Sequence, residues 1–117
     1  MLTMHRDEIK VPDGVDVKEI VRKDNGVIVT TICNVLSINP DDLVCKTRKR
    51  GIVDARHLIG YVLSFKKELT LKSICALTGH RSHASIYHSV TVIEGWIDID
   101  RNFRRDLVVL FDVLSEN

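Results

Sequence analysis

The sequence contains no Gly-x-x-x-x-Gly-Lys-Ser/Thr string, no Cys-x-x-Cys pair and no apolar run long enough to span a bilayer. The first absence excludes a phosphate-cradling P-loop, and with it nucleotide-driven assembly. The three cysteines, Cys33, Cys45 and Cys75, are odd in number and far apart. That argues against a disulfide framework and for buried thiols in a reducing compartment. Runs such as Val108-Val109-Leu110-Phe111 fall far short of the roughly 20 residues a membrane helix needs. The start, Met1-Leu2-Thr3-Met4 followed by His5-Arg6-Asp7-Glu8, does not resemble a signal peptide. A cytoplasmic location without membrane attachment is therefore expected. No internal repeat and no low-complexity tract is present.

What is there is one ordinary globular composition over 117 residues, enough for a single core. The formal net charge of +1 conceals a segregation along the chain. Residues 1–43 balance at −3 and residues 91–117 at −3, whereas residues 44–90 reach +7, from nine basic side chains against Asp54 and Glu68. A basic centre between acidic flanks suits a protein that presents one side to a polyanion, although a solvated face would show the same pattern.

Periodicity predicts an all-α domain of five to six helices. Residues 1–14 read as a loose lead-in, and residues 15–23 as a short amphipathic piece with Val17, Ile20 and Val21 on one side. Asn25-Gly26 signals a turn, after which Ile28, Ile32, Val35 and Leu36 follow helical spacing. Asn39-Pro40-Asp41-Asp42 stops that helix, and the basic loop Lys46-Thr47-Arg48-Lys49-Arg50-Gly51 follows. Asp54 is the expected N-cap of a long helix with Ala55, Leu58, Ile59, Val62 and Phe65 inward. Thr70 caps a shorter helix bearing Leu71, Ile74, Cys75 and Leu77, and Gly79 occupies a C′ position that requires positive φ. Another helix starts at Ser82 with the stripe Ile86, Val90, Ile93 and Ile97. A last one, from Asn102 to Leu114, buries Phe103, Leu107, Leu110, Phe111 and Leu114.

The span from Thr70 to Ile97 has helix-turn-helix anatomy: a short helix, a tight glycine-containing turn, and a longer helix with a polar start. The apolar stripe begins only at Ile86, so His80, Arg81, Ser82, His83, Ala84 and Ser85 are expected to project from the tip. The backbone N–H groups and helix dipole there favour a phosphate. Alternatives are weaker. His80, His83 and His88 in the spacing H-x2-H-x4-H match no closed zinc site. Asp98 with Asp100, or Asp41 with Asp42, reads as helix capping rather than as a catalytic pair. Trp96 and Cys75 read as core packing. No nucleophile–base constellation is evident, so an enzyme is not expected.

Two strings carry a family resemblance. Arg48-Lys49-Arg50-Gly51-Ile52-Val53-Asp54-Ala55-Arg56-His57-Leu58 is followed by Gly79-His80-Arg81-Ser82-His83-Ala84-Ser85-Ile86-Tyr87-His88-Ser89. In this order they resemble the C-terminal DNA-binding domain of the bacterial replication initiator DnaA. In that family a basic loop and an Ala-Arg helix precede a Gly-Arg-Asp-His-Thr-Thr-Val-like recognition string. The resemblance runs from about Asn25 to Leu114. It implies Arg48 or a loop neighbour in the minor groove, Arg56 and Arg81 on phosphates, and His83 with its neighbours at major-groove base edges. The implied DNA-binding set is Arg48, Lys49, Arg50, Arg56, His57, Lys67, His80, Arg81, Ser82, His83, Ala84, Ser85 and His88. No catalytic residue, metal or cofactor belongs to it.

This chain departs from the family at Ser82, where the family has Asp, and at Ala84, where it has Thr. Ser retains the helix cap but discriminates less at a base edge than an Asp that accepts from cytosine N4. A basic residue common in the family is replaced by Ser64, with Lys66 or Lys67 as possible substitutes. The expected organisation is a lead-in over residues 1–24 and a helix-turn-helix domain over residues 25–117, either free-standing or part of a longer protein. The expected function is sequence-preferring duplex binding in replication initiation or its regulation, as a monomer on DNA, with replication proteins as further partners. A protein-interaction module or a transcriptional regulator of the same fold is the alternative.

Overall fold

The structure, a computed structural model, describes residues 6–45 and 47–116. It is all-α. Among the described residues six helices follow in order: α1 (Lys18–Val21), α2 (Asn25–Val35), α3 (Arg50–Leu63), α4 (Leu71–Thr78), α5 (His83–Ile99) and α6 (Arg101–Glu116). Short 3-10 turns occupy Arg6–Glu8 and Pro40–Val44.

Helix α3 is the centre, packed chiefly on α5 and also on α2 and α4. Ala55, Ile59, Tyr61, Val62 and Leu63 are fully buried along it, facing Ile28 and Ile32 of α2, Ile74 of α4, and Ile86 and Ile93 of α5. The stripe predicted for α5 (Ile86, Val90, Ile93, Ile97) is buried throughout. Helix α6 buries Leu107, Leu110, Phe111 and Leu114, and is capped by Asp100, whose side chain accepts from the Phe103 N–H at 3.0 Å. Asp98 lies within α5 and pairs with Lys10 at 2.5 Å.

Several boundaries differ from the sequence reading. Asn25-Gly26 forms the first turn of α2 rather than a separating turn, because the Asp24 carboxylate accepts from the Val27 N–H at 3.3 Å. The buried face of α2 is Ile28, Val29, Ile32 and Cys33. Val35 and Leu36 are exposed, since the helix ends there and Ser37 turns the chain at φ 58°. Helix α3 begins four residues before Asp54, with Lys49 as its cap residue and no side-chain cap. Asp54 instead sits one turn in and pairs with Arg50 at 3.3 Å. Phe65 is buried but lies beyond the helix end. Only Cys33 of the three thiols is buried; Cys75 is half-buried and Cys45 exposed.

The lead-in is not loose over its described part. The Arg6 guanidinium donates to the carbonyls of Ser64 (2.9 Å), Lys66 (2.5 Å) and Leu69 (2.7 Å) just past the end of α3. A cation there satisfies carbonyls that the helix leaves without partners. The Tyr61 hydroxyl donates to the Lys10 carbonyl at 2.6 Å, and Ile20 is completely buried in the main core. Residues 6–24 are thus joined to the helical body.

Candidate nucleic-acid interface

Helix α4 opens with the Thr70 hydroxyl accepting from the Ser73 N–H (3.1 Å) and closes at Gly79, φ 79°. The positive φ suits glycine, and the fit is closer still: a Cβ at Gly79 would lie 2.1 Å from the Leu43 carbonyl oxygen. The 3-10 turn before the basic loop is therefore pressed against the helix-turn-helix turn. Helix α5 then starts behind Ser82, whose hydroxyl accepts from the Ser85 N–H at 3.2 Å. Arg81, Ser82, His83 and Ala84 are exposed around that start, and Ser85 is half-buried. The helix N-terminus is thereby open to solvent beside the exposed Arg81.

The basic loop meets this tip. Arg48 and Arg81 line one hollow of about 390 Å³, together with Thr47, Val53 and Arg56. Next to it a groove of about 420 Å³ runs between α3 and α5, bounded by Arg56, His57, His80, Arg81, Ala84, Ser85 and His88. Lys49 and Arg50 are exposed at the start of α3. Lys46, counted in the basic loop, lies outside the described residues.

Three of the residues expected to face DNA are used differently. Arg56 donates to the carbonyls of Leu43 (2.6 Å), Thr47 (2.9 Å), Asp42 (3.4 Å) and Cys45. Its guanidinium holds the loop that carries Arg48, rather than standing free in the groove. His80 does not project. Its ring turns inward over Gly60, where a Cβ would come within 2.9 Å of the His80 Cε1, and burial, with His57 and Arg56 adding, holds its pKa down to about 4. Lys67 lies in a different hollow, with Arg6, Val17, Val21 and Phe65, and is not brought to the groove. Lys66 does not stand in for a basic residue at Ser64 either. It is buried, donating to the Lys23 carbonyl and the Asn25 side chain, while the Ser64 hydroxyl donates to the Gly60 carbonyl at 2.7 Å.

His57 lines the groove floor. Burial first, then the neighbouring His88 and Arg50, push its pKa below the usual histidine range, against the opposing pull of Asp54. Its ring packs edge-on against His88 and Trp96, with centroids 5.5 and 6.4 Å away. Trp96 in turn packs on Phe103 at 5.2 Å, which makes it a packing residue rather than an exposed platform. Three site residues were not read from the sequence: Gly60, Thr78 and Ser89. A glycine in the middle of a helix is the one local signal, because it costs about 1 kcal/mol against alanine unless something approaches its backbone.

Comparison of the sequence with known proteins points to one family. The sequence model of the family described as "Bacterial dnaA protein helix-turn-helix" matches residues 26–93, more than half of the chain. The chromosomal replication initiator protein DnaA of Ureaplasma parvum is 30% identical over 102 residues, 87% of this chain and 22% of that protein. The DnaA of Kosmotoga olearia is 33% identical over 72 residues, 62% of this chain and 16% of its own length. That of Bacteroides fragilis is 26% identical over 80 residues, 68% and 17% respectively. The chain thus spans about a fifth of the length of the curated relatives it matches.

Proposed function

The chain belongs to the bacterial DnaA helix-turn-helix family, and from that premise we propose that it binds double-stranded DNA with a sequence preference, in replication initiation or its regulation. The observation that carries the reading is the shared hollow of Arg48 and Arg81 beside the open start of α5. In this reading α5 enters the major groove by its N-terminal end, as helix-turn-helix recognition helices do. His83 and Ala84 meet base edges, Arg81 with Lys49 and Arg50 meets phosphates, and Arg48 reaches the adjacent minor groove, whose narrow form attracts arginine. Ser82 and Ser85 keep the helix start formed, and its N–H groups favour a phosphate. Arg56 and His80 act from behind, by holding the basic loop and the turn. His88 borders the same groove, and Lys67 stands apart from it.

The domain acts as a monomer on DNA and performs no catalysis of its own in this reading. Among the described residues no helix is long and apolar enough to cross a membrane; action at the nucleoid is what the family membership favours. Replication proteins are the further partners the family membership favours.

Titration of a labelled duplex across salt concentration tests the reading. About five to eight phosphate contacts give a fall of log K with log salt of about 0.9 per contact. His83→Ala is expected to cost about 1–3 kcal/mol on the preferred site and little on random duplex. A flat salt dependence, with binding instead to a protein partner, would favour the interaction-module alternative.

A further inference from the structure

Four side chains where α3 and α4 meet the inner face of the recognition helix form a continuous hydrogen-bonded relay whose direction is set at one end. The Thr78 hydroxyl donates its only proton to the Ile74 carbonyl at 2.8 Å, one turn back in α4. A carbonyl can only accept, so Thr78 must accept at its second contact, with His80 Nδ1. His80 is neutral at ordinary pH, and with Nδ1 protonated its Nε2 is an acceptor. Ser89 Oγ lies 2.7 Å from that Nε2 and donates to it. Its proton committed, Ser89 accepts at its other contact, His57 Nδ1, 2.8 Å away. His57 is thereby protonated on Nδ1, and its Nε2, which has no hydrogen-bond partner among the described residues, is left bare on a ring that lines the groove.

We propose that Thr78, His80 and Ser89 are positioning residues that hold His57 as its Nδ1–H tautomer, so that the groove meets DNA with an unprotonated Nε2 and contacts a phosphate there by taking up a proton. The contact rests on the duplex-binding reading above; the tautomer does not. A bare Nε2 repels a phosphate oxygen, whereas the imidazolium donates to it. The relay needs no rearrangement for this change, because Nδ1–H donates to Ser89 in both protonation states. The charged or titratable groups around His57 are Arg50 and Asp54 on α3, His88 on α5 and His80 in the turn, with Arg56 and Arg81 bordering the groove. Of these described groups Asp54 alone favours the imidazolium in the free protein, so a bound phosphate supplies the missing counter-charge. Affinity then rises as pH falls toward the value His57 has in the free state, by up to about tenfold per pH unit for one proton.

Long-range nitrogen–proton NMR of the free, full chain reads the tautomers directly. His57 and His80 are expected as Nδ1–H, and Ser89→Ala is expected to release His57 from that form while the helical spectrum persists. A wild-type His57 protonated on Nε2 overturns the relay whatever the protein does with DNA. Duplex affinity at fixed salt, from about pH 7.5 to about pH 5.5, tests the contact. The wild type is expected to gain one proton's slope more than His57→Gln, which keeps every other histidine of the chain. Ser89→Ala is expected to shift the midpoint of that gain. Equal slopes in wild type and His57→Gln overturn the proton uptake. If no duplex binds either protein at any pH, the contact falls together with the duplex-binding reading, while the NMR result judges the relay on its own.

Discussion

The Leu43 carbonyl oxygen lies 2.1 Å from where a Cβ on Gly79 would be. The turn between α4 and α5 and the 3-10 turn ahead of the basic loop are thus in backbone contact, with no room for a side chain between them. This contact brings two sequence segments more than thirty residues apart into one surface. Gly79→Ala combines that clash with a left-handed φ, and is expected to cost about 2–4 kcal/mol. Gly51→Ala is the control: it sits in the first turn of α3 with nothing within 4 Å and is expected to stabilise by about 0.5–1 kcal/mol. Urea denaturation of both variants checks the pair. An unchanged midpoint for Gly79→Ala would mean the two turns are not packed together as described.

Arg56 and Arg81 differ in employment, and their alanine variants are expected to differ accordingly. Arg56→Ala leaves the carbonyls of Leu43, Thr47 and Cys45 without their donor, an expected loss of about 1–3 kcal/mol in stability. Arg56→Lys should restore little, since an ammonium cannot reproduce the guanidinium fork. Arg81→Ala should leave stability within about 0.5 kcal/mol and lower the salt slope of duplex binding by about 1. Thermal unfolding beside salt-dependent anisotropy separates the two. Identical behaviour of the variants would contradict the division.

His80 makes stability depend on pH. Its folded pKa, about 4, lies below the ordinary histidine value of 6.5. The unfolded chain therefore binds the proton first as pH falls. The contribution of neutral His80 is complete above the unfolded pKa and is lost between about pH 6.5 and pH 4. With a discount for its partial exposure, the loss is roughly 2 kcal/mol. His80→Asn should lack this component, so denaturation curves of both proteins at several pH values are the measurement. A His80 titrating near its ordinary value by NMR would remove the effect.

Base reading at Ser82 and Ala84 is the remaining expectation. The Ser82 hydroxyl is engaged by the Ser85 N–H and lies 3.1 Å from the Ser85 hydroxyl, so it presents less to a base than the family's Asp. Loss of an acceptor matched to cytosine removes about 1–3 kcal/mol of discrimination at one base pair. The wild type is expected to prefer the initiator's standard box over scrambled duplex only modestly. Ser82→Asp with Ala84→Thr should recover part of the preference, because Asp also caps the helix. Competition between the two duplexes at one salt concentration measures this. A strong wild-type preference would place the reading on other residues.

The amino-acid sequence by itself determined what depends on neighbours along the chain. The caps at Thr70 and Ser82, the left-handed Gly79 and the buried stripe of α5 are all local in origin, set by backbone propensity and a 3.6-residue period. The helix-turn-helix was legible for that reason, and the strings around Arg56 and His83 pointed to the family. Only the tertiary structure decided which way individual polar side chains turn. Arg56, His80 and Lys66 have the same chemistry whether they face solvent or a carbonyl; packing of Leu43, Gly60 and Lys23 against them sets the choice. The same holds for the start of α3, where Asp54 looks like a cap but no local signal outweighs extension of the helix back to Arg50. The relay through Thr78, His80, Ser89 and His57 spans α4, a turn, α5 and α3. His57 lies 32 residues from Ser89 in the chain and none of the four is distinctive alone, so only the close approach permitted by Gly60 brings them into one line.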